Sequence, residues 1–88
     1  MEICLYIILT HYGTYYCGIT NNLQRRWKQH SSGQSKYLAK WKPKEVVYVE
    51  FLVGYETALK REKQIKQIGP GKFFRYQWLC NLQLNINI

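Results

Sequence analysis

Alternating stretches of apolar and polar residues divide the chain into predicted strands and helices. Residues Ile3–Leu9 are nearly all apolar and end at a polar turn that contains Gly13, which predicts a buried central strand. The short run Tyr15–Ile19 follows that turn, so we expect it to pair with the first strand as a hairpin. Residues Glu45–Val53 are rich in β-branched and aromatic side chains and predict a third strand. The pattern therefore indicates a sheet of three strands.

Between and after these strands, the apolar positions recur at helical spacing. Asn21 or Asn22 is expected to cap the first helix, and Gly33 is expected to end it in the left-handed conformation. A Gly-Pro-Gly break at residues 69–71 is expected to separate the last two helices. The predicted helical segments are Leu23–Gln29, a single turn around Tyr37–Lys40, Tyr55–Ile68 and Phe73–Leu82.

The predicted elements follow the order ββαβα plus a C-terminal helix. This order indicates a small α/β (α+β) sandwich, in which a three-stranded, mostly antiparallel sheet is flanked by helices. No repeat or linker interrupts the chain, so residues 1–82 are expected to form a single domain and residues 83–88 a C-terminal tail.

The charge balance narrows the class of partner. The 88 residues include 13 Lys and Arg but only five acidic residues, all of them Glu, which gives a net charge of +8. A small globular chain with this excess is expected to bind a polyanion, and nucleic acid is the usual one. A membrane surface is the rival partner, but the positive charges are spread over several predicted elements rather than one long amphipathic helix.

The cysteines and the N-terminal residues indicate a compartment. Three cysteines without a CxxC pair favour reduced thiols over a zinc site or a disulfide framework. The apolar run near the N-terminus is too short to span a bilayer, and Glu2 stands where a signal peptide would carry a basic residue. We therefore expect a cytoplasmic protein that does not bind membranes.

One carboxylate stands within an apolar helical stripe. On helical spacing, Glu62 shares a face with Ala58 and Ile65. Two interpretations are open: a carboxylate at the edge of the core that pairs with a basic residue, or a ligand for one Mg²⁺ or Mn²⁺ ion. The chain contains no Asp, so a site with two metal ions and several carboxylates is very hard to assemble. A phosphodiesterase built from this chain would depend on one ion, basic groups and hydroxyls.

Four further residues supply such groups. Tyr6 and Tyr16 lie on the two strands of the predicted hairpin. Arg26 and His30 are four residues apart on the first helix, so they project from one face of it. Each also has a structural interpretation: sheet packing for the tyrosines, a solvated charge for the arginine, and an interaction with the helix C-terminus for the histidine. Their significance lies in occurring together.

In order and spacing, these residues resemble the motifs of the GIY-YIG nuclease family. The tripeptide CLY at residues 4–6 stands at the family's first motif, and YCG at residues 16–18 stands at the second. Arg26, His30 and the Glu62 of LKREKQIK complete the pattern. The resemblance covers about Cys4 to Ile68 and extends to the short stand-alone, YhbQ-like members of the family. Cys17, in the middle of the second motif, is expected to point away from the face of its neighbours.

The resemblance implies cleavage of DNA phosphodiester bonds by a single-metal mechanism. A structure-directed role in DNA repair or recombination is one hypothesis for such an enzyme, and the pathway itself is not predicted. It implies that Glu62 binds the divalent metal ion, Mg²⁺ or Mn²⁺, and that Arg26 neutralises charge developing on the phosphate. Tyr16 or Tyr6 would orient or deprotonate the attacking water. His30 would assist in proton transfer or hold the tyrosine. We expect the hairpin and two helices to converge these groups on one face of the sheet.

Further contacts with nucleic acid are expected from basic and aromatic residues between the second and third strands. The basic side chains would meet phosphates, and exposed aromatic rings would stack on unpaired bases. For Trp41, packing under its loop is the alternative. The candidate nucleic-acid-binding residues are Arg25, Lys28, Lys36, Tyr37, Lys40, Trp41 and Lys42.

The sequence contains no element that predicts base-specific reading of DNA. We therefore expect structure-directed or weakly selective cutting of duplex, branched or single-stranded DNA, or targeting by a partner protein. Two competing interpretations are a nucleic-acid-binding module with little or no cleavage on the same fold, and a protein-interaction or membrane-surface domain. The oligomeric state is not predicted.

Overall fold

The computed structural model describes residues 2–33 and 36–77, with the side chains of residues 2–33 and 38–77. A fourth helix, α4, covers residues 70–77 at the end of this part of the chain. The other elements, in chain order, are β1 (Glu2–Thr10), β2 (Tyr15–Thr20), α1 (Leu23–Ser31), α2 (Lys36–Trp41), β3 (Pro43–Val53) and α3 (Tyr55–Ile68).

The strands form one sheet in the order β2-β1-β3, with both neighbouring pairs antiparallel. This confirms the predicted α+β fold, with a sheet that is antiparallel throughout. The bounds of α3 agree with the prediction. The three strands, α1 and α2 are each one or two residues longer than predicted, at one end or at both. The predicted boundary at residue 82 and the tail at residues 83–88 lie outside the described residues.

The last predicted helix begins earlier than expected. Residues 69–71 were expected to break the chain, but α4 starts at residue 70, and the Phe73 amide donates to the Gly69 carbonyl at 2.9 Å. Pro70 fits the first helical turn, where its missing N–H has no intrahelical partner to lose. Only Gly69, with φ +103°, makes the break. A Cβ on Gly71 would lie 2.8 Å from the Tyr15 ring, so glycine permits close packing of α4 on β2.

The side chains of β1 alternate between two covered faces of the sheet. Leu5 packs in one core cluster with Ile65 of α3, and we call this side the α3 face. Tyr6 points to the other side and packs with Leu38 of α2 and Trp27 of α1, which we call the α1 face. Both faces are covered, which explains why β1 reads as a continuous apolar run.

Local capping interactions confirm the predicted turns around α1. The Asn22 side chain accepts a hydrogen bond from the Arg25 amide at 3.0 Å, which caps the helix N-terminus. Gly13 in the hairpin turn and Gly33 after α1 both have φ of +81°. Cys17 belongs to the α3 face, away from its neighbour Tyr16, as expected. Among the described residues, no helix is long and apolar enough to cross a membrane.

Candidate active site

Three of the predicted site residues form one cluster on the α1 face. The Tyr6 hydroxyl and His30 Nε2 are 2.8 Å apart and hydrogen-bonded. The Tyr16 ring lies edge-on to the His30 ring, with 5.4 Å between centroids, and 6.4 Å from the Tyr6 ring. The hairpin supplies the two tyrosines and the last turn of α1 supplies the histidine, so the structure brings these residues together across 24 positions of sequence.

Gly18 makes room for this cluster. It pairs with Tyr6 across the β1–β2 ladder. A Cβ at this position would lie 2.5 Å from the Tyr6 hydroxyl oxygen and 3.2 Å from Cε1 of Tyr16. The backbone of Gly18 does not have a positive φ, so close packing rather than backbone freedom requires glycine here. The third residue of the YCG tripeptide therefore has a structural role at the site.

Tyr6 and His30 are a buried, neutral pair. Both are almost fully excluded from solvent, at 0% and 2% exposure. Burial raises the pKa of Tyr6 to about 12, and the nearby Arg26 guanidinium opposes that rise. Burial lowers the pKa of His30, and the positive charge of Arg26 lowers it further. Neither side chain reaches the surface, so neither can contact a bulk-exposed substrate directly.

The second ring nitrogen of His30 lies on the far side from Tyr6. Nδ1 is buried and has no hydrogen-bond partner among the described residues. The bond between Nε2 and the Tyr6 hydroxyl can run in either direction, depending on which ring nitrogen carries the proton. In both directions the histidine holds the tyrosine, and no described side chain continues the chain of hydrogen bonds beyond Nδ1.

Arg26 connects the buried pair to the surface. It lies one helical turn before His30 and is exposed, and its Nη1 donates to the Gln29 side chain at 3.2 Å. The pKa of Arg26 is raised, mainly because the guanidinium interacts with the Tyr6 hydroxyl. An exposed guanidinium above a buried tyrosine is well placed to accept an anion such as phosphate.

Glu62 does not share the face of the other four residues. It belongs to α3, which packs on the opposite side of the sheet, so the expected convergence on one face is wrong for this residue. The cause is the covered α3 face of β1, because Ala58 and Ile65 are fully buried there and fix the orientation of the helix.

Glu62 nevertheless approaches the strand that carries Tyr16. Arg61, on one flank of α3, forms a two-pronged ion pair with Glu50 of β3, at 2.9 and 3.1 Å. Glu62 is 100° further around the helix, on the flank turned to β2. Burial raises the pKa of the Cys17 thiol to about 11, and the Glu62 carboxylate is the next cause of that rise. Glu62 therefore lies along the β2 edge of the sheet.

The carboxylate of Glu62 fits a single metal ion better than a multi-ligand site. Its side chain is 18% exposed, and its ion pair is with Lys66 at 3.6 Å, a lysine that is itself 51% exposed. Such a pair is weak and easily exchanged. Among the described residues, no group of three or more His, Cys, Asp and Glu is close enough to hold a metal ion. A divalent ion with one carboxylate, several waters and a substrate phosphate matches this donor set.

A pocket of about 280 Å³ adjoins Arg26 at the end of β2. Its lining residues are Ile3, Ile19, Thr20, Asn21, Arg26 and Tyr55. Tyr55 was not among the site residues predicted from the sequence. One signal was available: Tyr55 precedes Glu62 by seven residues, so both lie on the flank of α3 that faces β2.

The candidate nucleic-acid-binding residues lie on two helices. On α1, Arg25 and Lys28 are exposed, and Arg25 Nη2 donates to the Asn21 side chain at 3.1 Å. Lys36 and Tyr37 are the first two residues of α2, and their side chains lie outside the described part of the structure. Lys40 and Lys42 are exposed at the other end of α2.

Trp41 packs rather than standing free. It is half-buried, and its ring lies edge-on to Tyr12 of the hairpin turn with 5.7 Å between centroids. The Lys40 Nζ is 5.2 Å from the centroid of the same ring. This arrangement supports packing under the loop over base stacking. Because α1 and α2 cover the same face, their basic residues stand on the side of the sheet that holds Tyr6.

Known proteins share both the sequence and this fold. The sequence model of the GIY-YIG catalytic domain matches residues 2–69. A UPF0213 protein of Bacillus cereus is 36% identical over 67 residues, which cover 75% of this chain and 70% of the relative. A UPF0213 protein of Desulfotalea psychrophila is 38% identical over 68 residues, covering 75% and 62%.

A solved structure agrees with these matches. The solution structure of a UPF0213 protein from Bacillus halodurans superimposes with a TM-score of 0.56 at 29% identity, covering 90% of this chain and 85% of that one. The chain belongs to the GIY-YIG nuclease family and to the short stand-alone kind of member that carries the UPF0213 name. None of the relatives' names states an activity.

Proposed function

We propose that this protein is an endonuclease that hydrolyses DNA phosphodiester bonds with the help of one divalent metal ion. The observation that carries the proposal is the packed cluster of Tyr6, Tyr16 and His30 with the exposed Arg26 beside it. The family supports a nuclease, and the net charge of +8 supports a nucleic-acid substrate.

Burial divides the roles of the two tyrosines. Tyr16 is only half-buried, so it is our candidate for the hydroxyl that orients or deprotonates the attacking water. Tyr6 is fully buried, and its pKa of about 12 keeps the hydroxyl protonated at neutral pH. Tyr6 and the neutral His30 then act as positioning residues that fix the ring of Tyr16 from behind.

Arg26 and Glu62 provide the charges. The guanidinium of Arg26 would bind the scissile phosphate and neutralise the charge that develops on its oxygens. Glu62 would hold the ion, Mg²⁺ or Mn²⁺, from the other side of β2. When bound, such an ion supplies Lewis-acid polarisation of a phosphate oxygen. The basic residues of α1 and α2, among them Arg25 and Lys28, would hold the flanking phosphates.

The alternative function is nucleic-acid binding without cleavage. It is supported by the burial of Tyr6 and His30, because a hydrogen-bonded pair of this kind also serves as an ordinary core contact. Both functions require a basic surface, so a binding measurement alone does not distinguish them. Removal of the Glu62 carboxylate does distinguish them, because only a nuclease would lose an activity.

The test is cleavage of labelled single-stranded, duplex and branched DNA with Mg²⁺ or Mn²⁺. The protein would be compared with the Glu62→Gln variant and with a control variant, Glu56→Gln. Glu56 belongs to the same helix as Glu62 but is exposed to solvent. We expect Glu62→Gln to lose cutting while it binds DNA as well as the parent protein. Glu56→Gln should cut normally, and EDTA should stop cutting in every case.

Two results would contradict the proposal. Cutting that persists in Glu62→Gln would remove that carboxylate from the reaction. Tight, salt-sensitive binding with no cutting under either metal would establish the binding module instead. If branched DNA is the preferred panel member, a role in repair or recombination is supported. Equal cutting of all three would point to targeting by a partner protein.

A further inference from the structure

The pocket beside Arg26 is large enough for one aromatic ring of a ligand. Its volume of about 280 Å³ is slightly smaller than the range typical of drug-sized ligands. It lies where β2 ends and where α1 and α3 both begin, so rigid elements rather than a long loop form its walls. A single nucleobase is a ligand of this size.

The walls combine an apolar floor with an aromatic side. Ile3 is buried and Ile19 half-buried, and both belong to the sheet. Tyr55 is 59% exposed, an unusually open position for a large aromatic residue in the first turn of a helix that packs on a sheet. A base that stacks on this ring would cover surface that the fold itself leaves open.

The polar rim is held in place by its own hydrogen bonds. The Asn21 side-chain oxygen accepts from Arg25 Nη2 at 3.1 Å, which orients the amide and leaves its NH₂ group as a donor. The Thr20 hydroxyl donates to the Asn22 carbonyl at 3.2 Å and accepts from the Asn22 amide at 3.1 Å. The β2–α1 turn is therefore braced, and Asn21 can read the edge of a ring that lies against Tyr55.

Arg26 links this pocket to the catalytic cluster. Arg26 lines the pocket, and its guanidinium interacts with the Tyr6 hydroxyl. A nucleotide whose phosphate is bound by Arg26 therefore has its neighbouring base within reach of the pocket. A base paired inside a duplex cannot enter, because it would first have to leave the stack.

We infer that this pocket binds one unpaired nucleobase next to the phosphate at Arg26, with Tyr55 as the stacking residue. The inference rests on the proposed function and makes its substrate more specific. The protein binds single strands, or branched DNA with unpaired bases, more tightly than intact duplex of the same sequence.

The experiment measures binding and not cleavage, so it stands apart from the nuclease test. Full-length protein is titrated in EDTA against a labelled single strand of about a dozen nucleotides and against the matching duplex. The variants are Tyr55→Ala, Tyr55→Phe and the control Tyr76→Ala, an equally exposed tyrosine on α4. A 2-aminopurine base placed at successive positions of the strand reports stacking by loss of fluorescence.

We expect Tyr55→Ala to weaken single-strand binding about tenfold or more, with little change for duplex. Tyr55→Phe should bind as the parent does, and 2-aminopurine should be quenched at one position in the parent but not in Tyr55→Ala. The inference is overturned if Tyr55→Ala binds the single strand within twofold of Tyr76→Ala. It is also overturned if Tyr55→Ala weakens single strand and duplex equally.

The two tests fail independently. A protein that depends on Tyr55 for single-strand binding but never cuts would support the base pocket and refute the nuclease. A protein whose cutting depends on Glu62 but whose single-strand binding does not depend on Tyr55 would support the nuclease and refute the base pocket. Thermal melting of each variant completes the comparison, and because Tyr55 is largely exposed, its truncation should leave the melting temperature nearly unchanged.

Discussion

The buried hydrogen bond between Tyr6 and His30 should contribute measurably to stability as well as to the site. Tyr6→Phe keeps the ring in the core and removes only the hydroxyl. His30 would then have both ring nitrogens buried without a protein partner, since Nδ1 already lacks one among the described residues. Tyr6→Phe newly strands only Nε2, and stranding one buried polar group costs roughly 1–3 kcal/mol, which is the expected loss of stability.

The assay is a double-mutant cycle in urea and by thermal melting. For an 88-residue chain, a loss of about 1–3 kcal/mol corresponds to a fall in Tm of roughly 4–20 °C. His30→Leu alone should also destabilise, because the Tyr6 hydroxyl loses its buried partner and keeps only its interaction with Arg26. The double variant Tyr6→Phe/His30→Leu should lose less than the sum of the two, since neither polar group remains to be satisfied. Tyr76→Phe, at an exposed position, is the control.

Additivity would refute this reasoning. If the two single losses add to within about 0.5 kcal/mol of the double variant, Tyr6 and His30 are energetically independent. The 2.8 Å contact would then contribute nothing specific, and the role of His30 as the residue that holds Tyr6 would have to be abandoned.

Three further results are expected. Gly18→Ala should reduce both stability and cutting, measured by melting and by the cleavage assay, because its Cβ would displace the Tyr6 hydroxyl; unchanged cutting would show that the cluster adapts. Stability should fall as the pH is lowered through 6.5, by up to about 1.4 kcal/mol per pH unit, because the unfolded chain takes up a proton that buried His30 resists. Urea titrations from pH 7 to pH 5 should show this slope, and His30→Leu should lack it. Lys42→Gly should raise stability by about 1 kcal/mol. Lys42 directly follows α2 with φ +54°, a left-handed conformation that glycine adopts more easily, and its backbone amide donates to the Leu38 carbonyl. A lower midpoint of urea unfolding would contradict this.

Local signals in the sequence were sufficient for most of the secondary structure. The bounds of α3 follow from helical spacing between two glycines, and the cap at Asn22 follows from its side-chain chemistry. The start of α4 was missed because Pro70 reads as a break in the sequence, although proline suits a first helical turn. Proline can either end a helix or begin one. Here it begins α4 because Gly69 alone turns the chain, and the positions of the residues in the sequence do not show this.

The sequence grouped Tyr6, Tyr16 and His30 in one candidate site, and the structure brings them together, but their layout was not predicted. Sequence order does not distinguish the fully buried Tyr6 from the half-buried Tyr16, because coverage by α1 decides the burial of both. The side of the sheet occupied by Glu62 was open to better prediction. A first strand that is apolar at nearly every position needs cover on both faces, so α1 and α3 had to lie on opposite sides.

The position of β2 at the edge of the sheet offers a way for residues on opposite faces to serve the proposed reaction. Tyr16 points to the α1 face, and Cys17 points to the α3 face. On that face burial raises the pKa of the Cys17 thiol, and the negative charge of Glu62 raises it further. Within residues 2–33 and 36–77, β2 has a neighbouring strand on one side only, so a substrate along its other side would be within reach of both helices. Arg26 borders this edge from α1, and Tyr55 borders it from α3. In the proposed reaction, a site built around an edge strand would need no shared face, and the buried pair beneath Tyr16 would not contact the substrate.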